Sequence, residues 1–300
     1  MSPSDPVPGA EAAAFYQEHG WYATGTILPD ELLDRADEVI RGLGADHRDL
    51  DVPRSLREFL AWPPGEPRPT RLNQYICLQY RAMAELASFP ALARIAALLA
   101  GSRRLRIFNT ALIRKRPGSA EQYAQVGWHC DRAYWATCSS ERMTTAWVPL
   151  QDTTVSMGTL AVLSGSHTWP DTDEVRALRT AKTFIAEDHD ALWSRLESLR
   201  SDGVTVDVRQ IELKRGQVSF HHPLTLHGSG VNLATTSRNA ISVHYQDGAN
   251  RYQPATGADG APATYVHDPF VRRRPNGDPD YADPEVCPPV WPPTAPSRPG

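Results

Sequence analysis

The hydrophobic spacing of this chain changes near residue 104, and that change limits the folds open to it. Upstream, apolar residues recur every three to four positions. Over 29–43, Leu32, Leu33, Ala36, Val39, Ile40 and Leu43 share one helical face, with Asp30 and Glu31 in the first turn and Gly42 and Gly44 near the end. Shorter helices are predicted over 11–18, closed by Gly20, and over 90–100, opening on Pro90 and stopping at Gly101. The Pro-rich run 61–70 reads as a loop. Downstream, short apolar runs at 105–115, 143–150, 160–163, 217–220, 225–229 and 238–246 read as strands split by Gly, Ser and Pro turns. A helix over 187–199 is expected between them. Val204, Val206 and Val208 alternate on one phase, and Ile211 and Leu213 resume on the other, which predicts a bulge or bend. Helices followed by many short strands predict a mainly-β protein, a barrel or double sheet backed by helices.

With 300 residues, 41% of them hydrophobic, the chain can bury a real core as one or two domains. Its net charge of −4 argues against a broad nucleic-acid footprint. No run approaches the roughly 18–20 apolar residues of a membrane span. The N-terminal residues have neither a basic nor an apolar signal region, and Cys77, Cys130, Cys138 and Cys287 form no CxxC pair, so a reducing cytoplasm is expected. The last fifty residues hold 12 of the 26 prolines. They are expected to form no regular element, with Tyr265 and Trp291 favouring a packed, wrapped segment.

The chemistry concentrates in Gly127-Trp128-His129-Cys130-Asp131. In an extended segment residues i and i+2 share a face, so His129 and Asp131 project together while Trp128 and Cys130 point away. One imidazole and one carboxylate supply two corners of a metal site. His227, ninety-eight residues on, is the best candidate for the third. Two histidines and a carboxylate on one face of iron leave three positions open, as in non-haem Fe(II) oxygenases. A lone His-x-Asp is weak, because a strand histidine is more often packed or surface-exposed. Arg238, eleven residues after His227, strengthens the pattern. A turn near 231–237 sets its strand beside that of His227, so the guanidinium can face the same cavity. That fork matches a carboxylate and stays charged when buried, as one end of 2-oxoglutarate requires. Taken alone, Arg238 reads more readily as a surface arginine at a strand start.

These segments resemble the phytanoyl-CoA dioxygenase family of Fe(II)/2-oxoglutarate oxygenases over roughly residues 11–246. Five motifs carry the likeness in order: FYQEHGWYATGTILPDELLDRADEVI, ALIRKRPG, GWHCDRAYW, TTAWVPLQDTTVSMGTLAVLSGSH and HGSGVNLATTSRNAISVHY. The resemblance implies a double-stranded β-helix (jelly-roll, cupin-like) core with His129, Asp131 and His227 as iron ligands. It implies one oxygenase domain over 1–250, with a helical part over 11–100 and the jelly-roll core over 104–246, followed by a Pro-rich extended tail over 251–300. It further implies that Arg238 and Ser229 hold the distal carboxylate of 2-oxoglutarate, that Trp147 lines the cosubstrate pocket, and that Lys115 contacts cosubstrate, substrate or solvent. The expected activity is O2-dependent oxidation, by default hydroxylation, of a small organic molecule, with epimerisation, cyclisation or desaturation as alternatives. Asp131 favours oxygenation over halogenation, which needs a small residue there. Ala, Arg and Pro usage fits a high-GC bacterium, whose relatives often tailor secondary metabolites, antibiotics among them.

Two other readings stand beside it: a Zn²⁺ or Mn²⁺ jelly-roll hydrolase or isomerase using the same ligands, which has no need of Arg238, and a non-enzymatic cupin-like ligand-binding or sensor domain, which would tolerate loss of the metal. Tyr134, Trp135 and Tyr123 are candidates for the substrate wall or the core. His221 and His222 read as a turn at the mouth of the site, His167 as structural, and Cys130 as packed on the outer face. Residues 45–80, 117–126 and 170–200 are expected to build the lid.

Overall fold

The computed structural model describes residues 8–43, 48–57, 70–118, 125–182, 189–257 and 260–293. In the first half, α1 (Ala10–His19), β1 (Trp21–Ala23), α2 (Asp30–Gly42), α3 (Arg54–Arg57), β2 (Thr70–Gln74), α4 (Arg81–Ala87) and α5 (Pro90–Leu99) precede the core strands. Gly20 closes α1 at φ 74°, and a Cβ there would sit 2.4 Å from both His167 and Thr225, so only glycine fits. There follow β3 (Leu105–Lys115), β4 (Val126–His129), β5 (Thr144–Pro149), β6 (Leu160–Ser164), α6 (Asp173–Thr180), α7 (His189–Ser201), β7 (Asp207–Ile211), β8 (Ser219–His221), β9 (His227–Ser229), β10 (Arg238–Asp247) and β11 (Pro289–Trp291).

The strands form two antiparallel sheets. The larger runs β1-β8-β5-β10-β3-β11, with β2 also paired to β3, and the smaller runs β4-β9-β6-β7. The predicted jelly roll is therefore what the strands build. Pleating sorts the residues of β10. Ile241, Val243 and Tyr245 face outward into a core shared with α2, α4 and α5, through Leu33, Ala36, Met83, Leu86, Ala93 and Ala96. Arg238, Ser242 and His244 face the space between the sheets. Behind the smaller sheet, α6 and α7 cover Cys130 and Leu163 with Val175, Leu178, Leu196 and Leu199.

Three expectations are corrected. The phase change after Val208 is not a bulge, because β7 pairs with β6 from Asp207 to Ile211 without a register shift. Val204, Val206 and Val208 instead pack under α6 and α7, while Ile211 and Leu213 join Trp147 and Leu160 between the sheets, so the covered face changes along the strand. Part of the expected lid is a strand. Thr70–Gln74 pairs with β3 from Thr70↔Lys115 to Gln74↔Ala111, so backbone pairing holds it as a wall. Of the predicted 61–70 loop, 61–69 lie outside the described residues. Among its described residues the tail forms one strand, β11, whose Pro289 and Trp291 pair with β3 at a sheet edge, where a proline removes no needed donor. Tyr265, Val271, Tyr281, Val286 and Cys287 pack there with Phe108 and Trp135.

Candidate active site

The smaller sheet brings distant parts of the chain together. In the β4–β9 ladder His129 lies directly opposite His227, and their rings are 4.3 Å apart. Between His227 and Ser229, Gly228 lets the strands approach, since a Cβ there would meet the Val126 carbonyl oxygen at 3.0 Å. Beyond β4, Cys130 stays extended and Asp131 opens a single 3₁₀ turn over Asp131–Ala133. Donor atoms of His129, Asp131 and His227 all lie within 4.8 Å of one another, and all three residues are buried.

Their surroundings suit a metal. Nδ1 of His129 is 2.7 Å from the Gly127 carbonyl and Nδ1 of His227 is 2.9 Å from the Thr225 carbonyl. Each Nδ1–H donates to its carbonyl, so the lone pair rests on Nε2, the arrangement metal-bound histidines adopt. Burial pushes His129 below and His227 well below the usual imidazole range, which keeps both neutral. Burial alone would raise the Asp131 carboxyl, but His227, His244 and a hydrogen bond from His221 hold it well below the usual carboxylate range. Neutral imidazoles and an ionised carboxylate form the donor set of a facial triad.

These groups line a cavity of about 320 Å³. Elsewhere in the same cavity lies Arg238, 1% exposed. Its Nη2 donates a long, 3.5 Å bond to Ser229 Oγ, while Nε and Nη1 have no hydrogen-bond partner. Trp147 lies under the guanidinium, 5.5 Å from ring centroid to Cζ. Burial pushes Arg238 down to about 9, still charged at neutral pH. A buried cation without a counter-ion is costly unless an anion joins it.

The remaining expected residues divide. Ser229, Trp147 and Tyr134 line the cavity, and the Tyr134 ring meets His129 edge-on at 5.8 Å. Trp135 also lines it but is 2% exposed and packs against Phe108 and His244. Lys115 lies opposite Arg238 across the β3–β10 ladder yet is not among the cavity's lining residues. Its Nζ donates to the Ser229 carbonyl at 3.0 Å and to the Gly230 carbonyl, and burial with the neighbouring Arg238 pushes it well below the usual lysine range. Tyr123 lies outside the described residues. Cys130 Sγ contacts the Arg179 carbonyl at 3.1 Å, away from the site, and His167 Nε2 bonds the Gln17 carbonyl at 3.0 Å.

His221 overturns its expectation. It is the last residue of β8, 1% exposed, with Nε2 3.2 Å from Asp131 Oδ2, whereas His222 turns to the opposite face beside Tyr16 and His167. Successive strand residues alternate faces, so adjacent histidines separate. Thr145 and His244 carry no signal in the sequence, nor do the wall residues Leu72, Gln74, Asn109, Thr264 and Val266, and Tyr265, expected only to pack, also lines the cavity. They become visible only once strand pairing is known.

A double-stranded β-helix with a buried His–Asp–His set and an unpaired guanidinium in one cavity defines the class of non-haem Fe(II), 2-oxoglutarate-dependent oxygenases. The model of the phytanoyl-CoA dioxygenase family matches residues 66–240, and the chain belongs to that family. The peroxisomal phytanoyl-CoA dioxygenase of Bos taurus is 23% identical over 259 residues, 82% of this chain and 71% of its own length. Among solved structures, the carbocyclase SnoK from nogalamycin biosynthesis shares the fold at TM-score 0.67 and 22% identity, covering 97% of this chain and 100% of its own. The epimerase SnoN, in complex with Fe³⁺, α-ketoglutarate and nogalamycin RO, gives TM-score 0.60 and 25% identity, covering 86% of this chain and 96% of its own.

Proposed function

We propose that this oxygenase converts a small organic substrate by the overall reaction R–H + 2-oxoglutarate + O2 → R–OH + succinate + CO2, with His129, Asp131 and His227 as the iron ligands. The observation that carries this reading is the pairing, in one cavity, of that donor set with the unpartnered Arg238 guanidinium. Bound iron supplies O2 activation and the one-electron steps that neither imidazole nor carboxylate can perform.

The chain's own residues do the rest. The Nδ1–H bonds of His129 and His227 fix ring orientation and keep each Nε2 unprotonated. Arg238 pairs with the distal carboxylate of the keto diacid through Nε and Nη1, and Ser229 Oγ lies within reach of the same group. Trp147 closes the space beneath. Leu72, Ile113, Val126 and Leu160 give the cavity an apolar wall that excludes water. Tyr134 and Trp135 line the substrate side, with Thr264–Val266 of the tail adding a further wall. Lys115 acts indirectly, by holding the carbonyls that follow β9.

The likeness to SnoN and SnoK supports a substrate among secondary metabolites, and a second outcome in which the same site inverts a centre or closes a ring. The four cysteines, all free and buried, support a reducing compartment such as the cytoplasm. The test is a succinate-release screen against candidate metabolites with mass spectrometry under ¹⁸O2. Substrate-dependent succinate with one labelled oxygen in the product supports hydroxylation. Equimolar succinate with an unlabelled, isomeric or dehydrogenated product supports the second outcome. No succinate with any substrate, iron and 2-oxoglutarate being present, refutes the proposal.

A further inference from the structure

His221, Thr145 and His244 form a row across three adjacent strands. Thr145 on β5 lies opposite His221 on β8 and opposite His244 on β10. Two of them bond one atom, and the third stands behind the first. Thr145 Oγ1 is 2.5 Å from Asp131 Oδ2, His221 Nε2 is 3.2 Å from the same oxygen, and His244 Nδ1 is 2.8 Å from Thr145 Oγ1.

The proton positions follow from elementary bonding. An ionised carboxylate only accepts, so Thr145 donates its single hydroxyl hydrogen to Oδ2. The hydroxyl oxygen then accepts from His244 Nδ1–H, and His221 donates through Nε2–H. His221 Nδ1 is buried with no hydrogen-bond partner, so the one hydrogen bond of this side chain goes to Asp131. A carboxylate oxygen offers about two lone-pair sites. Two donors occupy both on Oδ2. Oδ1 receives neither of them, and it lies 3.7 Å from His227 Nε2.

We propose that Thr145 and His221, with His244 behind Thr145, are positioning residues that clamp Oδ2 of Asp131 and restrict the carboxylate to one-atom coordination through Oδ1. The inference rests on Asp131 being a metal ligand, as read above. Its consequence is a count of positions. Three single-atom protein donors leave three sites on a six-coordinate metal, enough for a chelating keto acid and O2. A bidentate Asp131 takes one of them.

The test uses Co(II) as probe, anaerobically, on the full chain. The visible spectrum and the 2-oxoglutarate dissociation constant are compared for wild type, Thr145→Val, Thr145→Ser, His221→Phe and Asp131→Ala, with thermal melts confirming folding. Thr145→Val is nearly isosteric but lacks the donor, and Thr145→Ser restores it. The clamp predicts an altered Co(II) spectrum and 2-oxoglutarate binding about tenfold or more weaker in Thr145→Val and His221→Phe, with Thr145→Ser like wild type. If both donor-deleted variants match wild type while Asp131→Ala loses Co(II), the clamp is wrong and the ligand assignment stands. If Asp131→Ala also binds Co(II) like wild type, the ligand assignment itself falls and the clamp with it.

Discussion

Asp131 and Arg238 are buried charges lining one cavity, 5% and 1% exposed, yet the fold satisfies only one of them. Around Asp131, Thr145 and His221 donate to Oδ2 while His227 and His244 stand within 3.7 Å of its carboxylate. Around Arg238 there is one long bond to Ser229, a tryptophan face, and a second buried basic side chain, Lys115, across the ladder. The first end is organised before any ligand arrives. The second is complete only with an anion. The same low-polarity surroundings therefore preorganise one end and make the other dependent on ligand.

The largest expected effect lies at the organised end. His129→Ala or Asp131→Ala should reduce succinate release to background, and retained turnover would remove that residue from the ligand set. Next comes Arg238→Leu. Removing one partner of a buried charge pair costs about 2–5 kcal/mol, so the half-saturating 2-oxoglutarate concentration should rise about a hundredfold while Co(II) affinity holds. The ligand-free melting temperature should rise, because an uncompensated buried charge is gone, and that rise is the opposite of what a structural arginine predicts.

A third prediction separates site electrostatics from general acid lability. His267 is fully buried beside the Phe108, Tyr265 and Tyr281 rings, and burial pushes it down to about 3. Its folded value lies below the unfolded value of about 6.5, so the unfolded state binds the proton more readily. The stability this linkage governs is complete above about pH 6.5 and is lost as pH falls toward 3. His267→Phe should flatten the fall of unfolding free energy between pH 7 and pH 4 by an amount on the order of a few kcal/mol, whether or not 2-oxoglutarate is added. An unchanged slope would place the acid-sensitive group elsewhere. The smallest effect is expected from Lys115→Met. Among the described residues Nζ bonds the Ser229 and Gly230 carbonyls, so Lys115 reaches the cosubstrate only through that backbone, and the 2-oxoglutarate requirement should rise less than about tenfold, a fraction of the roughly 1 kcal/mol each bond contributes. A loss equal to that of Arg238→Leu would make Lys115 a direct contact and merge the two basic side chains into one binding element.

How much could be read from sequence follows the same division. His129 and Asp131 share a local pattern, and the long strand β3 was legible from Leu105 to Lys115 as a loosely alternating apolar run, although the structure buries it on both faces. The opposition of His129 to His227 and the burial of Arg238 needed only the assumption that their strands meet in one cavity. Thr145, His221 and His244 could not be read this way. Their relation is a register across β8, β5 and β10, and one residue of slip turns each side chain to the other face. His221 was further masked by its neighbour His222, which made the pair resemble a turn. The strand β2 was hidden because it directly follows a proline-rich run, and the tail's wall residues because their place depends on Tyr265 stacking against Phe108 at 4.6 Å.

The most direct test of the central claim is an anaerobic titration of the Fe(II)-loaded protein with 2-oxoglutarate, followed by visible absorbance. A charge-transfer band should saturate in wild type, need far more 2-oxoglutarate in Arg238→Leu, and never form in His129→Ala. Absence of the band in wild type, or equal saturation in Arg238→Leu, would overturn the joint reading of the metal site and Arg238.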